Sequence, residues 1–156
     1  VVMAWVVGLG LATLVFQEWL ASERDPNRNL QATGSGEVVL RQSRDGHYRA
    51  PGAINGAPVR FLLDTGATHV SVPGPVAREI GLRRGPAIAT MTANGRITTY
   101  ATRIDTLRLG DITVRDVAAS INPHMDMDKV LLGMSFLKRL ELTQRGETLT
   151  LRPMGG

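Results

Sequence analysis

Between residues 47 and 152 the chain is interrupted so often by turn-forming pairs that only short strands fit between them. Asn55-Gly56 separates the strand candidates 47–54 and 58–63. Both residues tolerate positive φ, which a two-residue hairpin requires. Asn94-Gly95 parts 88–93 from 96–104, Gly110-Asp111 parts 107–109 from 112–114, and Arg145-Gly146 parts 141–144 from 148–152. Segments 70–72 and 116–121 add further strands, and Val130-Leu131-Leu132 is a wholly apolar run stopped by Gly133. Helix is expected only over 75–80, with Pro75 in its first turn and Gly81 at its end, and over 136–140, with Ser135 as its cap. Nine or ten short strands with one or two short helices define an all-β domain, a closed barrel or sandwich. Aromatics are 4% of the chain against 43% for all hydrophobics, so its core must be aliphatic.

The N-terminus does not fit that pattern. Residues 1–16 are apolar except for Thr13, and Trp5 and Trp19 lie near the two ends of the segment. A membrane span takes about 20 such residues, with aromatics at the interfaces. The residues after the run, Trp19-Leu20-Ala21-Ser22, match a signal-peptidase site poorly. We therefore read 1–21 as a transmembrane anchor helix, with a cleaved signal or a soluble helix as alternatives. Residues 22–36 are polar and read as a flexible linker, which leaves 37–156 as the folded domain.

Composition narrows the partners. The net charge is +4, but the basic residues are scattered and form no run longer than Arg83-Arg84. With few aromatics to stack bases, nucleic acid is not an expected partner. The absence of cysteine removes disulfides, thiol nucleophiles and thiolate metal sites.

Phe61-Leu62-Leu63-Asp64-Thr65-Gly66-Ala67 carries the chemistry. A carboxylate directly after three large apolar residues costs several kcal/mol to bury unless it is hydrogen-bonded. Thr65 offers a hydroxyl, Gly66 lets a backbone N–H approach the carboxylate, and Ala67 leaves the far side uncrowded. Taken alone, Asp-Thr-Gly is more often a strand end with turn chemistry. Here the triplet is followed by a strand, a hairpin tipped by Asn94-Gly95, and then Leu131-Leu132-Gly133 with a short helix. In that order the chain resembles the retropepsin-like aspartic proteases, both the retroviral proteases and the bacterial membrane-anchored single-domain members. The resemblance covers 47–152 and is closest at 63–68 and 131–137.

That resemblance implies a set of roles. Asp64 supplies one of two carboxylates that activate water, Thr65 locks its loop to a partner's, and Gly66 donates an N–H to the carboxylate. Leu131-Leu132-Gly133 passes beneath the catalytic loop. Asn94 and Gly95 form the flap tip, and with Ala67 and Leu132 they are the expected substrate contacts. Peptide hydrolysis by water needs both a base and an acid, yet the chain holds a single Asp-Thr-Gly. A two-fold homodimer, in which Asp64 meets its own copy, supplies the second carboxyl. Leu149-Thr150-Leu151 is the candidate interface strand. The expectation is an aspartic endopeptidase acting on extended polypeptides without metal or cofactor. It is expected as a single-pass protein of the bacterial inner membrane with its domain in the periplasm. The alternative is a non-catalytic retropepsin-like module for peptide binding or assembly.

Other clusters carry less. His124-Met125-Asp126-Met127-Asp128 puts potential ligands in one loop, but His47 and His69 are remote, and metal sites need convergence from several directions. Ser71 and Ser135 lack a nucleophile-elbow context. His69 lies close enough in sequence to Asp64 to face the same site, or solvent.

Overall fold

The computed structural model describes residues 2–155. It contains ten strands and three helices among the described residues. Helix α1 (Val2–Arg24) comes first, followed by β1 (Val38–Arg41), β2 (Arg49–Ile54), β3 (Ala57–Leu63), β4 (Val70–Pro73) and α2 (Gly74–Glu79). Then come β5 (Ala87–Thr92), β6 (Gly95–Leu109), β7 (Ile112–Asn122), β8 (Lys129–Leu132), α3 (Met134–Leu137), β9 (Leu140–Arg145) and β10 (Thr148–Pro153).

The expected all-β domain is present, and it closes. The large sheet runs β2-β3-β8-β4-β7-β6-β5, and β6 returns to pair with β2 through Ala53↔Arg108 and Ile54↔Leu107. Six strands therefore form a barrel, and β5 is left outside it on the far half of β6. The length of β6 makes this possible. Gly95 to Tyr100 pair with β5, while Tyr100 to Leu109 pair with β7. The hairpin β5–β6 thus projects from the barrel wall. At the β2–β3 turn, Asn55 has φ 50° and Gly56 φ 81°, as its two-residue loop demands.

The core is aliphatic with two rings. Phe61, Phe136, Leu40, Ile104, Leu132 and Leu151 are fully enclosed. Within β8, Val130 and Leu132 point inward and Leu131 does not, following the alternation of a strand.

Three sequence expectations change here. Strand β10 is the middle of the sheet β1-β10-β9, and Leu149 and Leu151 are buried in the chain's own core. Its hydrogen-bonding edges are taken by β1 and β9, so it is not a free edge on which to build an interface. The short helix begins at Met134 and ends before Leu140, which starts β9. Its cap is Gly133, which has no side chain to bond, while Ser135 lies inside the helix and its hydroxyl bonds elsewhere.

Helix α1 runs past residue 21 to Arg24 and buries none of its residues against the barrel. It is long and apolar enough to cross a membrane. After it, the polar stretch lies against the barrel. Asn27 is buried, donates to the carbonyls of Arg41 (2.8 Å) and Arg49 (2.7 Å), and accepts from the Arg41 N–H (2.8 Å). Leu30 packs on the core.

Candidate active site

Strand β3 delivers Asp64 to the end of the barrel, where the chain turns sharply. The Asp64 N–H donates to the Leu132 carbonyl (3.1 Å), continuing the parallel β3–β8 pairing by one residue. The Asp64 carbonyl accepts from the Ala67 N–H (3.3 Å), and its carboxylate Oδ1 accepts from the Gly66 N–H (2.9 Å). This charge-assisted bond fixes the carboxylate's direction. Asp64 is half-buried, while Thr65 and Gly66 are exposed. Among the described residues the Thr65 hydroxyl has no hydrogen-bond partner.

The loop rests on the turn from β8 into α3. Met134 N–H donates to the Ala67 carbonyl (2.8 Å), and Ser135 N–H donates to the Thr68 carbonyl (3.0 Å). The buried Ser135 hydroxyl accepts from the Val70 N–H (2.9 Å) and donates to the Ala118 carbonyl (2.7 Å), tying the loop's exit to β7. Ser135→Ala deprives the buried Val70 N–H and the half-buried Ala118 carbonyl of this partner, and we expect it to lower stability by about 1–3 kcal/mol. Urea unfolding checks this, and an unchanged midpoint would remove the hydroxyl from the support of the loop.

Above the loop lies a cleft of about 880 Å³. Asp64, Gly66, Ala67, Ser71 and Leu131 line it from the barrel side, residues 88–93 from the projecting hairpin, and Ser120, Asn122 and Met125 from the flank. Asp64 and His69 are its ionisable side chains among the described residues. Met125, in the loop weighed as a metal site, instead accepts a hydrogen bond from the Ser71 hydroxyl at 3.3 Å.

The expected site residues separate into three groups. Asp64, Gly66 and Ala67 line the cleft. Thr65 is exposed on the same loop and does not line it. Leu132 is fully buried and cannot touch a ligand in the cleft, so its neighbour Leu131 takes that position. The alternation of Lys129–Leu132 already contained this signal, since Val130 and Leu132 read as the core pair. Asn94 and Gly95 sit at the hairpin tip outside the lining, which is formed instead by β5 and the turn residue Ala93. Asn122 and Met125 were not anticipated. They come from the end of β7 and the loop after it, and only the closed barrel brings them beside Asp64.

A small closed barrel, an Asp-Thr-Gly loop at its mouth, a hairpin over the loop and an apolar-apolar-Gly element beneath it define a retropepsin-like aspartic protease fold. Residues 50–139 match the family described as gag-polyprotein putative aspartyl protease, and the chain belongs to that family. A crystal structure of a retropepsin-like aspartic protease from Rickettsia conorii superposes with a TM-score of 0.63 at 25% identity, covering 74% of this chain and 89% of that one. An uncharacterised Sinorhizobium protein from the cobV 5′ region is 36% identical over 125 residues, which is 76% of this chain and 53% of that protein. An uncharacterised Rickettsia prowazekii protein is 27% identical over 116 residues, which is 70% of this chain and 48% of that protein. The chain thus spans about half the length of these two relatives.

Proposed function

We propose that the chain is one subunit of a homodimeric aspartic endopeptidase. In this reading α1 tethers it to the bacterial inner membrane and the barrel stands in the periplasm. The observation that carries the reading is the Asp64 carboxylate at the cleft floor, oriented by the Gly66 N–H and half open to solvent, beside an exposed Thr65 hydroxyl with no partner among the described residues. A second copy related by a two-fold axis supplies what one chain lacks. Asp64 meets its counterpart, and each Thr65 hydroxyl reaches the opposite loop.

Two carboxyls held about 3 Å apart cannot both ionise and so share one proton. The ionised one takes a proton from water as the water oxygen bonds to the amide carbon. The protonated one gives its proton to the carbonyl oxygen. When the tetrahedral diol collapses, the C–N bond breaks, the leaving nitrogen takes the dyad's proton, and one diol hydroxyl gives its proton back to the dyad as the C=O double bond re-forms. One shared proton remains, ready for the next cycle.

Strand β5 ends the large sheet, so among the described residues its outer edge has no strand partner. An extended peptide lying between β5 and the Asp64 loop pairs with that edge through its backbone. Ile88, Met91, Met125 and Leu131 in the lining favour apolar side chains beside the cut bond.

The test is to assay the full chain in detergent for cleavage of an unstructured protein at acidic pH while sedimentation reports its assembly. The rate per chain is expected to fall on dilution in step with the dimer fraction. A monomer that cleaves at the full rate would overturn the pairing.

A further inference from the structure

A second cleft, of about 460 Å³, opens where α1 ends and the barrel begins, away from Asp64. It is lined by Arg24, the last residue of α1, by the β1–β2 connection with Ser43 and Arg44, and by Arg49 and Arg60 from the barrel. A backbone bond from the Arg44 N–H to the Glu23 carbonyl (3.3 Å) joins the two parts. The cations outnumber the acids. Asp25 engages Arg60 and Asp45 engages Arg49, but among the described residues neither Arg24 nor Arg44 has a carboxylate partner. The negative pole of the α1 dipole also ends here and works against an anion, but it amounts to about half a charge against the full charge of Arg24 in the last turn. Ser43 is 4% exposed, and among the described residues its hydroxyl has no hydrogen-bond partner. A buried polar group of that kind is open to a partner from outside the chain, a water or a ligand atom.

We infer that this cleft binds the phosphate of an anionic phospholipid headgroup, a conclusion that rests on α1 lying in a membrane. Two free guanidinium groups suit the geometry of a phosphate, and the unpaired Ser43 hydroxyl supplies a neutral donor. Position selects a lipid over a dissolved anion. Arg24 lies about 12 Å along the helix from Phe16, the last residue of the apolar run. The headgroup layer is about 5–8 Å deep on each face, and arginine stems reach back toward it. The headgroup would hold the barrel against the membrane at one orientation, which decides which polypeptides reach the Asp64 cleft.

The experiment is native mass spectrometry of the full chain released from neutral detergent, titrated with phosphatidylglycerol or with phosphatidylcholine. Phosphatidylglycerol is expected to bind more tightly. Arg24→Gln with Arg44→Gln is expected to reduce that preference about 30-fold, taking each cation at its usual strength beside anionic lipid. Ser43→Ala should reduce it less, and the equal charge loss of Arg115→Gln with Arg145→Gln should leave it unchanged. Equal binding of the two lipids, or a preference that survives the Arg24 and Arg44 substitutions, overturns the site. Displacement of the lipid by inorganic phosphate at matched concentration overturns the lipid as its source. A chain that stays dispersed after detergent removal overturns the anchor reading instead, and with it the proposed ligand.

Discussion

Asp64→Asn is expected to lower peptide cleavage by at least about 10⁴-fold while leaving the barrel's unfolding midpoint nearly unchanged. In a symmetric dimer one substitution removes both the base and the acid, and each such group contributes about 10²–10⁴-fold. Asparagine keeps the shape of the carboxylate and one oxygen to accept the Gly66 N–H, so the loop has no reason to move. Without an ionisable oxygen it can neither take a proton from water nor share one across the axis. The check is a peptide-cleavage progress curve beside a urea titration of the same preparation. Retained turnover would place the chemistry on another residue. If parent and variant alike bind peptide and neither cleaves it, the module is a binding one. A variant that loses activity only because it unfolds would leave its urea curve far from the parent's, so the two readouts separate chemistry from folding.

The features that were legible in the sequence are those with local causes. A two-residue turn needs particular backbone angles, so Asn55-Gly56 announces the β2–β3 hairpin and Asn94-Gly95 the β5–β6 hairpin without reference to anything distant. The Asp64 loop was legible for a similar reason, since Phe61-Leu62-Leu63 running into Asp-Thr-Gly joins a buried strand to a carboxylate within a few residues. What failed depended on partners far along the chain. Leu149-Thr150-Leu151 reads as an interface strand until β1 and β9 are seen on its two sides. Asn27 sits in a polar run that composition assigns to a linker. Its burial depends on the carbonyls of Arg41 and Arg49, and nothing near Asn27 predicts them. Ser135 has the spacing of a helix cap, yet its hydroxyl bridges Val70 and Ala118 because the barrel brings those strands over it. The choice of Leu132 over Leu131 was different in kind. Strand alternation over Lys129–Leu132 turns Val130 and Leu132 to the core and Leu131 to the cleft, whereas the resemblance named Leu132.

Gly133→Ala is the substitution expected to damage the fold most for the smallest chemical change. A methyl group built there lies 2.2 Å from the His69 carbonyl oxygen, 2.6 Å from its carbon and 2.7 Å from the Ala67 carbonyl oxygen. All three are backbone atoms of the stretch that follows Asp64, so no flexible side chain can swing aside. Relief requires β8 and α3 to retreat from the loop, which breaks the bonds from Met134 to Ala67 and from Ser135 to Thr68. Overpacking a tight core costs about 1–3 kcal/mol and sometimes more; with a backbone-on-backbone clash we expect about 3 kcal/mol or more. That corresponds to a urea midpoint lowered by about 1.5 M for a slope near 2 kcal/mol per M. Whatever fraction stays folded should cleave poorly, because a shift of about 1 Å in a positioned catalytic group can cost about 10²-fold. Activity should therefore fall further than the folded fraction does, as measured by cleavage and urea unfolding at a temperature where the variant is still mostly native. A normal midpoint would mean that β8 and the Asp64 loop are not in contact as described. A lowered midpoint with full activity per folded chain would mean that the loop holds Asp64 without support from Gly133.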